Sequence, residues 1–374
     1  MPPESRRIGR VISLLALLYV FLLSIAMMGA AFKMLGSGFS EALITSTASP
    51  VVGLLIGMLA TAVIQSSSTT TSIVVGLVAA EALTVRGAVP IVMGANIGTT
   101  VTNTIVALTA VNRREEFKRS FAGATMHDFF NVMAVLVLFP LEQATRFLER
   151  AALYLSDRLV GTEAVEFANP VKNVTKPVAA GIIDAIGATG WAAPAVGITA
   201  LGVAFLGLFV ALYRLPRLLK SIFLSRAEGP FFRRLERGGF VGIAIGVFLT
   251  VLVQSSSITT SLLIPMIGAG LVPLEGAFAI TLGANIGTTV TALLASTAGT
   301  HDSVAIALVH LLFNVTGIAI IYPFRPLRLI PIRLAERLAE FSMRSRMVPV
   351  LYLVFLFFLL PGLIILVQRL VRGS

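Results

Sequence analysis

Long apolar stretches alternate with short polar segments along this chain. A helix needs about 20 apolar residues to cross a bilayer. Seven stretches meet that length, near 11–32, 88–110, 120–140, 193–213, 276–298, 303–323 and 347–368. Two further apolar stretches, 50–82 and 239–270, are interrupted in the middle by Gln-Ser-Ser-Ser. The pattern predicts an all-α polytopic membrane protein in which two helices are broken.

The interrupted stretches belong to an internal repeat, because three patterns occur twice. They are Gln-Ser-Ser-Ser at 65–68 and 254–257, Gly-Ala-Asn-Ile-Gly-Thr-Thr-Val-Thr at 94–102 and 283–291, and His-x-x-x-Asn at 127–131 and 310–314. The first two patterns recur after the same 189 residues and the third after 183. Composition bias does not produce a nine-residue match at a shared offset. The chain therefore holds two copies of one unit.

The two copies are expected to have inverted topology. Three full spans separate the two Gln-Ser-Ser-Ser runs, so re-entrant hairpins at both places point in opposite directions. Inverted repeats with broken helices are typical of secondary transporters. The expected division is a first repeat over 1–140 with its hairpin at 50–82, an extracytoplasmic linker over 141–190, a second repeat over 191–324 with its hairpin at 239–270, and an interfacial helix with a C-terminal span over 325–374.

The distribution of charged residues predicts which connecting segments face the cytoplasm. The chain is 56% hydrophobic and only 13% charged, which excludes an ordinary soluble domain. Most of its 29 Lys and Arg fall in four connecting segments, 1–10, 112–119, 214–237 and 325–346. By the positive-inside rule these segments are cytoplasmic, including the N-terminus. The net charge of +11 therefore indicates topology and not nucleic-acid binding. There is no cysteine, and the three histidines lack zinc-binding spacing.

The hydroxyl-rich interruptions are the candidate ion-binding sites. A non-helical turn at membrane depth must be buried in protein or line an aqueous cavity. Helix N-termini after each interruption add N–H groups and a partial positive potential that suit an anion. The same hydroxyl oxygens suit Na⁺, and neither interruption contains Lys or Arg. A multiply charged anion there must bring its positive charge along, as co-transported sodium would. A single serine cluster would be explained by bonds within its own helix; two clusters at matching repeat positions favour function.

The repeated motifs resemble the type II sodium-dependent phosphate cotransporter family. The run 121–131, FAGATMHDFFN, and Leu83-Thr84-Val85-Arg86 are also similar to that family. The resemblance implies phosphate and sodium binding between the hairpins and a transport domain that moves against a scaffold. The expected phosphate-binding residues are Ser66, Ser67, Ser68, Thr69, Ser255, Ser256 and Ser257. The expected sodium-binding residues are Gln65, Thr70, Asn96, Thr99, Gln254, Thr259, Thr260, Asn285 and Thr288. Which oxygens contact which ion is left open.

Other residues are expected to support this site: Asp128, His127, Asn131, His310, Asn314 and Gly38. Asp128 is an intramembrane carboxylate, which is functional or paired by default; Arg86 and a hydroxyl of the first hairpin are its candidate partners. The two histidines are expected to hold a helix against its hairpin. In the resembled family an aspartate just after the first span accompanies a third sodium, and Gly38 aligns with it here. The resemblance thus implies electroneutral transport of two sodium ions per divalent phosphate.

The sequence therefore predicts a symporter that imports inorganic phosphate on the sodium gradient by alternating access. A sodium- or proton-coupled carrier of another oxyanion stays open, as does an anion channel. An intramembrane hydrolase is disfavoured because His127 and Asp128, being adjacent, point about 100° apart on a helix. No cofactor is expected beyond the sodium ions. The short segment 141–190 lacks the cysteines of the eukaryotic members, which suggests a bacterial protein of the cytoplasmic membrane. A homodimer is left open.

Overall fold

The computed structural model describes residues 3–35, 49–160, 170–223 and 239–372, with positions 38, 41, 44, 45 and 47. All regular structure in these ranges is helical. The first copy comprises α1 (Pro3–Met34), α2 (Pro50–Ile64), α3 (Ser67–Ala79), α4 (Val85–Ile97), α5 (Val101–Leu108) and α6 (Arg114–Thr145), followed by α7 (Phe147–Val160) and α8 (Pro170–Gly187). The second comprises α9 (Ala193–Phe223), α10 (Gly239–Val253), α11 (Ser256–Gly268), α12 (Leu274–Ser296) and α13 (His301–Ile321), followed by α14 (Arg325–Ser342), α15 (Val348–Val354) and α16 (Leu360–Arg372).

The prediction of an all-α polytopic membrane protein is confirmed. In the part of the chain that the structure describes, seven helical segments are long and apolar enough to span a bilayer, and each matches one expected span. They are Gly9–Met34, Val85–Leu108, Arg114–Thr145, Ala193–Leu215, Leu274–Ser296, His301–Ile321 and Val348–Gln368. A short 3₁₀ helix, Gly98–Thr100, separates α4 from α5. The equivalent stretch of α12 is continuous α-helix, so the two copies differ there in backbone.

Both interrupted stretches fold as two helices joined by a two-residue break. Gln65 adopts the left-handed conformation at φ 62°, and Ser66 is extended at φ −154°. Gln254 is also left-handed, at φ 53°, and Ser255 is extended at φ −156°. A left-handed residue ends a helix, and an extended serine is a favourable N-cap for the next one. The same four-residue motif, Gln-Ser-Ser-Ser, therefore ends one helix and starts another in each copy.

Glycines allow each hairpin to touch the following span backbone to backbone. A Cβ at Gly57 would collide with the Ile91 carbonyl, and one at Gly94 with the Leu54 carbonyl. Gly246 and Gly283 make the equivalent approach between α10 and α12. Only a residue without a Cβ permits helix axes this close. The repeated glycines therefore act in packing.

Each copy contributes an amphipathic helix that packs on the other copy. Helix α14 of the second copy lies against α6, and α7 of the first copy lies against α13. Residues 141–190, expected to be a linker, are thus largely helical where described, because α7 buries an apolar face on α13. Residues 161–169 lie outside the described residues, as do residues 224–237 of the basic segment 214–237.

Helices α1, α8 and α9 pack mainly on one another. Helix α1 runs along α9, and α8 also contacts α1. The C-terminal segment is interrupted by a short π-helix, Phe355–Leu359, and little of it is buried. It is joined to the first hairpin by a hydrogen bond of 3.2 Å from the Ser49 hydroxyl to the Gln368 Oε1. The hairpins and the spans that follow them therefore form the centre of the protein.

Candidate functional site

The glutamine at each break bonds the following span of its own copy. The Thr102 hydroxyl donates to the Gln65 Oε1 over 3.0 Å, and the Thr291 hydroxyl donates to the Gln254 Oε1 over 3.0 Å. Each glutamine Nε2 donates to a carbonyl of its own helix, at Ala62 and Val251. A left-handed non-glycine residue is strained. The side-chain bonds offset that strain and fix each break against its span.

Threonines close the two arms of each hairpin. The Thr61 hydroxyl donates to the Thr70 Oγ1 over 3.0 Å, and the Thr250 hydroxyl donates to the Thr259 Oγ1 over 2.9 Å. Thr70 and Thr259 also donate to carbonyls, those of Ser66 and Ser255. Both threonines were expected to bind sodium. Their hydroxyls take part in bonds within the hairpin, and each oxygen keeps one acceptor position.

The first serine of each run caps a helix. The Ser66 Oγ accepts from the Thr69 N–H over 3.2 Å and from the Thr69 hydroxyl over 2.9 Å. The Ser255 Oγ accepts from the Ile258 N–H over 3.3 Å. The next serines, Ser67 and Ser256, are each 4% exposed at the first turn of α3 and α11. The first N–H groups of a helix have no partner within it, so each break offers hydroxyls and free backbone donors together.

Asn103 is a site residue that the sequence analysis missed. Its Oδ1 accepts from the Thr260 hydroxyl over 2.9 Å and from the Ser261 hydroxyl over 3.3 Å. The bond joins α5 of the first copy to the hairpin of the second. One signal was present: Asn103 is the first position after the nine-residue match at which the copies differ, with Ala292 as its equivalent.

Histidine–asparagine pairs join the two copies at the centre. The His127 Nε2 lies 2.6 Å from the Asn285 Oδ1, and the His310 Nε2 lies 3.3 Å from the Asn96 Oδ1. All four side chains are buried. Each histidine thus bonds a span of the opposite copy, and the expectation that it bonds its own hairpin is wrong. The motif shared by the copies is what makes this contact reciprocal.

The remaining asparagines extend this network. The Asn131 Nδ2 donates to the Asn96 carbonyl over 2.7 Å, and the Asn285 Nδ2 donates to the Asn131 Oδ1 over 3.0 Å. The Asn314 Nδ2 donates to the Asn285 carbonyl over 3.4 Å. Asn96 and Asn285 were expected to bind sodium, and their side-chain oxygens already contact histidine. Thr99 and Thr288, also expected there, donate to carbonyls of their own helices, at Ala95 and Ala284.

Asp128 is fully buried and bonds a residue far away in sequence. The Tyr352 hydroxyl donates to the Asp128 Oδ2 over 3.0 Å, while its Oδ1 has no partner among the described residues. Both expected partners are therefore wrong: Arg86 is exposed, and the first hairpin makes no such bond in the described residues. The Tyr352 ring also packs edge-on against Phe121. No local sequence pattern reveals a contact between residues 224 positions apart.

Gly38 lies at an exposed position. A Cβ there would meet nothing within 4 Å, and Glu41 nearby is exposed as well. Its neighbours, residues 36, 37 and 39, lie outside the described residues. Nothing in the described residues around Gly38 therefore supports the expected link between this position and the number of sodium ions.

The chain is similar to a known protein family and to individual members of known function. The family model described as "Na+/Pi-cotransporter" matches residues 20–163 and 208–342. The chain is 36% identical over 447 residues to the human sodium-dependent phosphate transport protein 2B, covering 95% of this chain and 64% of the relative. It is 34% identical over 423 residues to the rat sodium-dependent phosphate transport protein 2A, covering 94% of this chain and 66% of the relative. No solved structure matches the chain.

The bond between His127 and Asn285 predicts energetic coupling between the two copies. In a double-mutant cycle of His127→Ala and Asn285→Ala, we expect a coupling free energy of about 1 kcal/mol or more, because contacting polar residues are not additive. The measurement is thermal or denaturant unfolding of the detergent-solubilised chain. A cycle of His127→Ala with Thr281→Val is the control, since the Thr281 hydroxyl bonds the Ala277 carbonyl of its own helix. Equal coupling in both cycles would contradict a specific contact.

Proposed function

Because the chain belongs to the Na⁺/Pi-cotransporter family, we propose that it is a secondary active symporter that imports inorganic phosphate on the sodium gradient. The observation that carries the proposal is the pair of hydroxyl-rich helix breaks, which carry no Lys or Arg. The chain spans 64% of the length of the human sodium-dependent phosphate transport protein 2B.

Phosphate is proposed to bind at the starts of α3 and α11. Ser67, Ser68 and Ser256 are buried there, and Ser257 is half-buried. Hydroxyl and free N–H donors at a helix N-terminus suit the oxygens of an anion, and the helix dipole favours its charge. Ser66, Thr69 and Ser255 shape the same turns through their capping bonds. These serines supply directional donors without a fixed positive charge.

Sodium is proposed to supply the missing positive charge. An anion in a low-dielectric site needs compensation that hydroxyl groups alone do not give. Gln65 and Gln254 present carboxamide oxygens that accept one hydrogen bond each, and an amide oxygen has a second acceptor position. Thr70 and Thr259 lie beside them in the hairpins. Sodium ions bound both to these oxygens and to phosphate would couple phosphate transport to the sodium gradient, because neither phosphate nor sodium would bind well without the other.

Alternating access is proposed to follow from the repeat. The same bonds recur in both copies: glutamine to threonine at each break, threonine to threonine across each hairpin, and histidine to asparagine between copies. Two inverted units around one midplane site can exchange roles between an outward and an inward state. We place the N-terminus in the cytoplasm and the protein in the bacterial inner membrane, in line with the basic connecting segments.

Phosphate uptake into proteoliposomes tests the proposal directly. With radiolabelled phosphate we expect saturable uptake under an inward sodium gradient and little when choline replaces sodium, because the site lacks a fixed cation. Competition by unlabelled sulfate and arsenate measures selectivity among oxyanions. Uptake indifferent to sodium would contradict the mechanism, and a non-saturating flux would favour a channel.

Ser67→Ala and Ser256→Ala are each expected to weaken apparent phosphate affinity roughly ten- to a hundredfold. A hydrogen bond to a charged group contributes about 1.5–3 kcal/mol, and each 1.4 kcal/mol is a factor of ten. The measurement is the phosphate concentration at half-maximal uptake. Ser24→Ala is the matched control, because the buried Ser24 hydroxyl bonds the Val20 carbonyl within α1. Unchanged affinity in both variants would place the phosphate site elsewhere.

The proposed stoichiometry is two sodium ions per divalent phosphate, a neutral load. Moving one net charge would add or cost roughly 2.3 kcal/mol per 100 mV. We therefore expect no phosphate-evoked current under voltage clamp. A robust inward current would contradict this. The buried Asp128, one oxygen of which has no partner among the described residues, would then be the candidate that holds a further cation. Asp128→Asn, measured in parallel, identifies that case by loss of the current.

A further inference from the structure

A polar cavity opens where two candidate spans of the second copy end. Its volume is about 730 Å³, and it is lined by the start of α10, the start of α12, the residue after α13 and one face of α14. Because α12 and α13 are long and apolar enough to span a bilayer, the cavity lies at the level of a bilayer surface. That is the depth of phospholipid headgroups. The residues proposed above to bind phosphate and sodium are not part of its lining.

Four charged side chains of both signs line this cavity: Arg328, Arg333, Glu275 and Glu336. Among the residues that the structure describes, none of the four forms an ion pair. Two guanidinium groups and two carboxylates therefore share one space without neutralising one another by direct contact. Charge complementarity selects a binding partner, and this lining is complementary to a ligand that carries a negative and a positive group together.

Arg328 is placed to bind the negative group. Its guanidinium carbon lies 5.2 Å from the centre of the Tyr322 ring, and that ring packs edge-on against Phe240. A guanidinium held over an aromatic face has a fixed orientation. The Arg328 Nε is buried and has no hydrogen-bond partner among the described residues. A phosphate oxygen supplies the acceptor that this N–H lacks, and arginine matches the geometry of phosphate better than lysine does.

Apolar side chains around the cavity are exposed where lipid chains would lie. Phe240 follows the cavity residue Gly239, Phe324 lies two positions after Tyr322, and both phenylalanines are exposed. Helix α14 also exposes a row of leucine and isoleucine three and four residues apart, at Leu327, Ile330 and Leu334. Such a row beside charged groups is typical of a helix in the plane of the membrane interface. A lipid has a headgroup for the cavity and acyl chains for these side chains, whereas a free phosphate ion has only the first.

We propose that this cavity binds the headgroup of phosphatidylethanolamine, which carries a phosphate and a primary ammonium. The phosphate accepts hydrogen bonds from Arg328 and Arg333, and the ammonium donates to the carboxylates of Glu275 and Glu336. A purely anionic headgroup leaves the two carboxylates facing like charge. A choline headgroup has no N–H to donate to them. The inference goes beyond the proposed transport function, because it assigns to the protein a specific lipid at a separate site.

The first test compares lipids on the unaltered full chain. Native mass spectrometry of the detergent-solubilised protein gives apparent dissociation constants for phosphatidylethanolamine, phosphatidylglycerol and phosphatidylcholine with identical acyl chains. We expect phosphatidylethanolamine to bind roughly tenfold more tightly than either of the others, because only its headgroup bonds both signs of charge. Soluble phosphoethanolamine should displace the lipid, and inorganic phosphate at the same concentration should not.

The second test removes one sign of charge at a time. Glu275→Gln, Glu336→Gln leaves the two guanidinium groups, so phosphatidylethanolamine should bind roughly tenfold more weakly while phosphatidylglycerol binds equally well or better. Arg328→Gln, Arg333→Gln should weaken the binding of both lipids. Arg337→Gln is the control, because Arg337 is an exposed residue of the same helix that does not line the cavity.

These measurements can overturn the site in three ways. Equal or tighter binding of phosphatidylglycerol to the unaltered chain contradicts a zwitterionic ligand. Displacement of the lipid by inorganic phosphate as effectively as by phosphoethanolamine identifies a site for free phosphate instead. An unchanged lipid preference in the glutamate variant places the lipid elsewhere on the protein. Glu275 and Glu336 are exposed, so the glutamate variant decides the question even if the Arg328 substitution prevents folding.

Discussion

The structure depends on one constraint: a backbone that stops being helical inside a membrane must find other partners for its polar groups. This chain breaks a helix twice, at Gln65 and at Gln254, and solves the problem in the same way each time. The serine after the glutamine caps the next helix, and the glutamine oxygen accepts from a threonine of the following span. Close glycine contacts hold hairpin and span together. The groups that stabilise each break are also the ones proposed to bind phosphate and sodium.

The His–Asn network makes the two copies interdependent. Each histidine bonds an asparagine of the other copy, and the two amphipathic helices α7 and α14 also pack across the copies. Neither copy could bury these polar side chains alone, since unpartnered buried groups are costly. The hairpins and their spans are therefore joined as one unit, while α1, α8 and α9 pack mainly among themselves. That division is compatible with one group of helices moving relative to the other.

The departures from symmetry are as informative as the symmetry. The first copy interrupts its span with a 3₁₀ helix at Gly98–Thr100, and the second does not. Asn103 bonds the second hairpin, whereas within the described residues the Thr71 and Ser72 hydroxyls of the first hairpin form no hydrogen bond. Buried hydroxyls are where such differences have most effect, because there water does not replace a lost contact.

The sequence by itself determined the helical membrane class, the seven spans and the position of both breaks, because these follow from hydropathy, repeat offset and local backbone preference. The sequence also identified the histidines and asparagines as candidate site residues, because they lie in repeated motifs. Only the tertiary structure decided their partners: His127 with Asn285, Asp128 with Tyr352, and Asn103 with Thr260. Each of these pairs joins residues more than 150 positions apart, and pairing at that range is set by how helices pack, which no periodicity along the chain records.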